Sequence, residues 1–290
     1  TDRFQYTDKF GEGNYHCRSC GAGGGLKLAH AVRGGRFSEL LDDIESLVGS
    51  VRPASLTGLA GPTLERMKRL CHQTWTEAKP VTIGDEVDRY LRGRGINQGA
   101  YPRTLRFHPA LGYYEKQPGQ KRSKLIASYA AMVACVQGPD GHAVTLHRTY
   151  LKEGRKALGE QSKKLLSAGI NGAAVRLDGA TDELALTEGI ETALAVRLRT
   201  GKPTWAAINC GNLERIWIPE QVQRVCIYAD NDSDAEFAGQ ASAYILAQRL
   251  VREAKKAGIH RTVEVFVPRQ AGTDWADIWL ASLAKDKRAA

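Results

Sequence analysis

The sequence predicts an α/β protein whose C-terminal part is a mostly parallel sheet flanked by helices. Three observations carry this. From about residue 180, short apolar runs alternate with helix-length segments, the pattern of strands joined by crossover helices. Before that, residues 103–151 hold long strand-like runs, two of them separated by the turn sequence GPDG, which closes hairpins. Hydrophobic residues make up 42% of 290, enough for a sizeable core.

Taken in order, residues 1–35 are rich in Gly, charge and aromatics, with short strand-like pieces between turn formers. FSELLDDIESLVG then reads as a helix, with Ser38 as N-cap and Gly49 as its stop. SVRPASLTGLAGP has linker composition. From Thr63, Leu64, Met67 and Cys71 recur at helical spacing, and a second short helix lies between Gly84 and Gly93. TLRFHPALGYYE, AAMVACVQ and HAVTLHRTYL follow as strands. ELALT is the first strand of the alternating region, and IETALAVRLRTG is a helix stopped by Gly201 and Pro203. TWAAINC and RVCIYAD are strands, and DAEFAGQASAYILAQRLVREAKKAG is a long helix packing Ala243, Leu246, Ala247, Leu250 and Ala254. TVEVFVP is the last strand and DWADIWLASLAK the last helix.

Lys plus Arg number 41 against 32 Asp plus Glu, and the pI is near 9.3. That excess points to a polyanionic partner, of which nucleic acid is the commonest. No apolar run reaches the ~18 residues of a membrane span, and no signal peptide is visible, so no membrane partner is expected. Six cysteines are too few for a disulfide scaffold. Cys135, Cys210 and Cys226 fall in apolar strand-like runs and read as core thiols, which fits a cytoplasmic, reducing compartment. The first residue is Thr1 rather than Met, so a fragment of a longer chain is expected.

Open α/β sheets build their sites at the carboxyl ends of strands, and three acidic features fall there. Glu188 ends one strand, Asp230 and Asp232 in YADNDSD end another, and Asp274 and Asp277 in GTDWADIW follow the last. Residues two apart in extended backbone point the same way, so Asp230 and Asp232 can face one point. Converging carboxylates repel unless a cation lies between them. All-oxygen ligands suit Mg²⁺ or Mn²⁺, ions that serve phosphoryl and nucleotidyl transfer. Each acid alone also has a structural reading. Glu188 could favour a helix N-terminus, Ser233 or Asp234 could cap the long helix, and Asp274 could cap the last one. Glu191, on the helix proper, reads as a bystander.

EGIETA at 188–193 resembles the EGYATA-type motif of phage-satellite and conjugative-plasmid primases. With YADND at 228–232 it looks like a Toprim domain, whose pattern is a lone Glu after the first strand and a D-x-D after a later one. The resemblance implies Glu188, Asp230 and Asp232 as catalytic, metal-binding acids, with Asp277 as a further Mg²⁺ or Mn²⁺ ligand. GTDWADI is similar to a K-D-W-N-D stretch of these primases, with Thr273 and Ala276 in place of its Lys and Asn.

Cys17-x-x-Cys20 is half of a tetrahedral zinc ligand set. The N-terminal stretch resembles the zinc ribbon of phage primase-helicases and plasmid primases. In those proteins a first Cys pair precedes the segment that begins here at DRF, so that pair is expected upstream of Thr1. His16, His30 or the Cys71–His72 pair are the residues in hand that could complete the set. The alternative is two free thiols in a loop.

In LHRTYLKEGRKALGEQSKKLLSAG, six basic residues outnumber Glu153 and Glu160. A positive strip beside a carboxylate site would hold nucleotide phosphates or a template backbone; otherwise it is a solvated charged face. The segment is similar to the one preceding Toprim in the same primases, which favours Arg148, Lys152, Lys163 and Lys164 as nucleotide- or template-binding residues. Tyr113, Tyr114 and Tyr150 could stack bases or fill the core.

The resemblance implies a zinc-ribbon remnant with a short helix over 1–48 and a linker with a helical segment over 49–100. A mixed α+β subdomain of the primase core would then span 101–178, and a Toprim domain with its C-terminal helix 179–290. The expected activity is that of a DNA primase, joining NTPs into short RNA primers on single-stranded DNA, with a replicative helicase as a further partner. The alternatives are a Toprim-type metal-dependent nuclease and a non-catalytic single-stranded-DNA-binding accessory protein of replication or conjugation.

Overall fold

The computed structural model describes residues 4–6, 13–17, 21–48, 64–115, 123–158, 162–166 and 170–289. They fall into two units, Thr1–Gly61 and Pro62–Ala290.

In the first unit, β1 (Phe4–Tyr6), β2 (Tyr15–Cys17) and β3 (Gly21–Gly23) form an antiparallel sheet in that order. Gly23 faces Tyr15 across the ladder, and a Cβ there would lie 2.6 Å from the tyrosine ring. Only glycine lets that ring lie flat over β3. The helices α1 (Gly25–Arg33) and α2 (Phe37–Val48) follow. Ser38 is not the cap of α2: the helix starts at Phe37, and Glu39 secures its entry by accepting from the Nε of Arg36 at 2.8 Å. Cys17 ends β2, while Cys20 lies outside the described residues.

The second unit begins with α3 (Leu64–Glu77), β4 (Lys79–Pro80) and α4 (Glu86–Gly93). Asp85 caps α4, accepting from the Asp88 N–H at 2.9 Å. An antiparallel sheet follows, made of β5 (Leu105–Glu115), β6 (Lys124–Gln137), β7 (Ala143–Lys152), β8 (Arg155–Lys156) and β9 (Lys163–Leu165). Its order is β4-β5-β6-β7-β8, with β9 also paired to β7. GPDG closes the β6–β7 hairpin, with Gly141 at φ +81 and its N–H donating to Gly138 O.

The second sheet of this unit holds β10 (Val175–Arg176), β11 (Glu183–Thr187), β12 (Thr204–Ala206), β13 (Arg224–Tyr228) and β14 (Thr262–Phe266). Its order is β10-β12-β11-β13-β14, parallel except for β10. The connecting helices are α5 (Ile190–Thr200), α6 (Cys210–Leu213), α7 (Ala238–Ala257) and the terminal α8 (Trp275–Ala289). Both faces of the sheet are covered, as parallel strands require. Leu184 and Leu186 pack with Val225, Ile227 and α7 through Ala243, Leu246 and Leu250. Ala185 and Cys226 face the other way, toward Val196 of α5 and Trp275 of α8. This is the expected α/β architecture.

Two element ends differ from expectation. The run TWAAINC is not one strand: β12 stops at Ala206, Ile208 turns to φ +80, and Asn209 caps α6 by accepting from the Asn212 N–H at 2.9 Å. Cys210 is therefore on a helix, not in a strand core. The helix α7 starts at Ala238 rather than near Asp234, because Glu236 and Phe237 are both left-handed, with φ +64 and +59. Neither Ser233 nor Asp234 caps it.

One core joins the two sheets of this unit. Val87, Tyr90 and Leu91 of α4 pack with Leu105, Met132 and Leu151 of the antiparallel sheet and with Ile190, Ala193 and Leu194 of α5. Truncating any of the buried leucines to Ala should cost about 2–5 kcal/mol. That packing fixes α4 against the start of α5, where the candidate site lies.

Candidate active site

The chain runs from β11 through α5 to β12 on one side of β11, then returns to β13 on the other. The carboxyl ends of β11 and β13 therefore flank a topological switch point, the crevice where open α/β sheets place their ligands. Glu188 follows β11, and Asp230 and Asp232 follow β13.

Glu188 is held by its backbone and its side chain. Its carbonyl accepts from the Ile208 N–H at 2.8 Å, and its Oε2 accepts from Cys210 Sγ at 2.7 Å. Burial raises its pKa, assisted by Asp232, while the Cys210 hydrogen bond and Lys163 oppose the shift.

Asp230 and Asp232 share a side because Asn231 is anchored on the other. Asn231 Nδ2 donates to Pro268 O at 2.8 Å, and its backbone bridges to Thr273. Asp232 Oδ2 accepts from the Gly239 N–H at 2.9 Å, taking the capping role at α7 expected of Ser233 or Asp234. Asp230 Oδ1 is buried without a partner. Burial, and then the charges of Glu188, Asp274 and Asp232, push the Asp230 carboxyl up to about 8, against the pull of Lys163.

Asp274 and Asp277 form a reciprocal cap on α8: the Asp277 N–H donates to Asp274 Oδ1 at 2.8 Å and the Asp274 N–H to Asp277 Oδ2 at 3.2 Å. Asp277 Oδ1 also lies 3.5 Å from the Arg94 Nη2 at the end of α4. It is Asp274, not Asp277, whose charge bears on Asp230. Asp274 Oδ2 accepts from Thr192 Oγ1 on α5 at 3.2 Å.

The four basic candidates separate. Lys163 Nζ donates to Glu191 Oε2 at 3.0 Å, and its charge reaches both Glu188 and Asp230. Arg148 donates to Leu165 O at 3.1 Å beside the Tyr150 ring. Lys164 donates to Tyr114 O and sits 3.6 Å above the Tyr113 ring. Lys152 lies 4.0 Å from Glu153. Only Lys163 is coupled to the crevice acids. Tyr113 and Tyr150 are core residues, whereas Tyr114 is 52% exposed.

Glu191 is a buried, doubly bonded acid rather than an isolated one. It is 4% exposed and takes a hydrogen bond from Tyr90 Oη at 2.7 Å on Oε1, with Lys163 on Oε2. Burial would raise its pKa, but Lys163 and Tyr90 outweigh burial and hold it near about 2. Tyr90 and Lys163 lie 101 and 28 residues away in sequence, so no local pattern announces the cluster.

Among the described residues, no three His, Cys, Asp or Glu side chains converge closely enough to hold an ion as they stand. The donor set nonetheless fits a hard divalent cation. Glu188, Asp230 and Asp232 offer only oxygens, their charges repel, and Asp230 Oδ1 is an orphaned buried acceptor.

Residues 183–285 match the Toprim domain family, and residues 65–177 match a domain of unknown function, DUF7146. The parallel strands β11–β14 and their connecting helices thus form a Toprim domain, with β10 outside the matched residues. Similar solved structures include a DNA primase domain from Pseudomonas aeruginosa, at 13% identity over 77% of this chain and 77% of that one, with a TM-score of 0.49. The zinc-binding and RNA polymerase domains of the Aquifex aeolicus primase match at 13% identity over 98% and 74%, TM-score 0.47. The primase fragment of the bacteriophage T7 primase-helicase matches at 11% over 96% and 90%, TM-score 0.42. No helix among the described residues is long and apolar enough to cross a membrane.

Proposed function

We propose that this protein is a DNA primase, joining nucleoside triphosphates into a short RNA primer on single-stranded DNA. One observation carries the reading. Glu188, Asp230 and Asp232 are coupled at the switch point of a Toprim sheet, with an unpartnered Asp230 oxygen and a lysine beside them. A protein that only binds DNA has no use for mutually repelling, half-buried acids.

Glu188, Asp230 and Asp232 would hold Mg²⁺ or Mn²⁺, with Asp277 as a further ligand and Asp274 as an acid whose charge also acts on Asp230. The bound ions would neutralise charge on the triphosphate and make the primer 3′-hydroxyl a better nucleophile. Asp230, raised to about 8, would carry a proton in the ion-free state and would have to release it for an ion to bind. Lys163 would meet the triphosphate. A new 3′-O–P bond forms, the bond to the β-phosphate breaks, pyrophosphate leaves, and the hydroxyl proton passes to solvent. The chain's excess of 41 basic over 32 acidic residues favours the template backbone.

In this reading residues 101–178 are the N-terminal half of the primase core, carrying Arg148, Lys152 and Lys164 toward template or nucleotide. Cys17 and Cys20 would supply half of a zinc ligand set. Single-stranded DNA and NTPs are the partners, with a replicative helicase next in line.

The test is incubation with single-stranded template, Mg²⁺ or Mn²⁺ and labelled NTPs. Oligonucleotide made by the wild type and lost in Asp230→Ala supports the proposal. Metal-dependent cleavage with no NTP incorporation makes the protein a Toprim nuclease instead.

A further inference from the structure

Lys163 bonds one set of carboxylates and acts electrostatically on another. One is Glu191, buried in the first turn of α5 and satisfied by Lys163 and by Tyr90 of α4. The other is the crevice set, where Asp230 Oδ1 has no partner and the charges of Glu188, Asp232 and Asp274 repel Asp230. An ammonium has three donors, and one of them serves Glu191. Its field already reaches Glu188 and Asp230. Left to Coulomb attraction alone, it would close on the crevice acids and occupy the place of a cation.

Glu191 is the group that opposes this. The Tyr90 hydroxyl fixes its Oε1, so Oε2 is presented to Lys163 in one orientation. Tyr90 is itself 4% exposed and locked in the core that joins the two sheets. The anchor is therefore rigid while the lysine, whose side chain is 35% exposed, keeps a free side.

We propose that Glu191 is a positioning residue: with Tyr90 it holds the Lys163 ammonium at the rim of the crevice. There the ammonium can meet nucleotide phosphates, and it is kept from displacing a divalent ion at Glu188 and Asp230. The inference rests on reading the crevice as a site for divalent ions and nucleotides.

The test measures Mn²⁺ binding, from the loss of the free-ion electron paramagnetic resonance signal, and ATP binding at equilibrium, on the full chain. Glu191→Gln should weaken Mn²⁺ binding at least about tenfold, the effect of one unit charge moved onto the acids. It should also weaken ATP binding. Lys163→Met should bind ATP at least about tenfold more weakly and Mn²⁺ no more weakly than wild type. The double variant should recover the Mn²⁺ affinity of Lys163→Met, because no ammonium is left to intrude. A merely structural role for Glu191 would weaken Mn²⁺ binding equally in both backgrounds, and that result overturns the proposal. So does wild-type Mn²⁺ affinity in Glu191→Gln. Should Glu191→Gln fail to fold, Lys163→Met carries the test, and wild-type ATP affinity in that variant overturns it. A protein that shows this binding pattern but makes no primer disproves the primase reading alone. A protein that makes primers without the pattern disproves the positioning role alone.

Discussion

Cys210 Sγ lies 2.7 Å from Glu188 Oε2, so a thiol on α6 donates to the acid that follows β11. Burial, and then Glu188 itself, push the thiol up to about 12. It stays protonated at neutral pH and serves as a donor rather than a nucleophile. Cys210→Ala removes the one hydrogen bond that opposes the upward shift at Glu188, so the carboxylate becomes harder to ionise. Mn²⁺ affinity at neutral pH should fall about tenfold, the scale of a hydrogen bond to a charged group. Cys210→Ser should retain most of the affinity. Equal binding by the alanine and serine variants would show that the thiol does not support Glu188.

Asp230 sets the sign of a pH effect in the ion-free protein. Its folded pKa, about 8, lies above the ordinary carboxylate value. Between about pH 4 and pH 8 the folded state therefore keeps a proton that the unfolded chain has released. Stability contributed by this group is complete below about pH 4 and falls as pH rises through 8. Thermal melts in EDTA at pH 5, 6, 7 and 8 should show this decline, and Asp230→Asn should flatten it. A wild-type slope no steeper than that of Asp230→Asn counts against the burial of this carboxyl.

The strands that carry Glu188, Asp230 and Asp232 were legible in the sequence because apolar runs of parallel-strand length alternate with helices, and a strand's end is where the run stops. What the sequence hid was hidden for physical reasons. TWAAINC reads as one strand because it is apolar or small up to Asn209, and the left-handed Ile208 that breaks it has no residue-type signature. The sequence pattern starts α7 too early because Glu236 and Phe237, both ordinary helix formers in pattern, sit at positive φ. Asp232 then captures the helix N-terminus through Gly239. Glu191 reads as a bystander in the sequence, since its partners Tyr90 and Lys163 arrive from α4 and β9 only after both sheets have packed.

Gly239 is the closest approach of α7 to the acids. A Cβ there would come 2.8 Å from Asp230 O and 2.9 Å from Asp232 Oδ2. In an exposed helix, Gly→Ala stabilises by about 1 kcal/mol. Here it should do the reverse, because the contact with Asp230 O is with backbone and cannot swing aside. Gly239→Ala should lower the melting temperature and weaken Mn²⁺ binding together. A variant that melts higher and binds Mn²⁺ normally would show that the helix start can shift without moving Asp230.

His147 predicts how the fold responds to acid. It is 6% exposed on β7, and Lys163, Glu191 and Arg148 are the charged groups that act on it. Burial, then Lys163, hold its pKa down to about 4, with Glu191 opposing. The unfolded chain takes up a proton near pH 6.5, and the folded state resists doing so until about 4. The stability tied to neutral His147 is therefore fully present above pH 6.5 and is lost as pH falls toward 4. By pH 4.5 the loss should reach about 2–3 kcal/mol. Glu191, held near about 2, contributes a separate loss only as pH falls below the ordinary Glu range, so the two effects occupy different windows. Urea unfolding at pH 7.0, 5.5 and 4.5 should show wild type losing about 2–3 kcal/mol more than His147→Gln over that interval. Parallel losses in the two proteins would mean that water or a counter-ion reaches His147 in the folded state, and that the packing of β7 against β9 is looser than the burial of this ring requires.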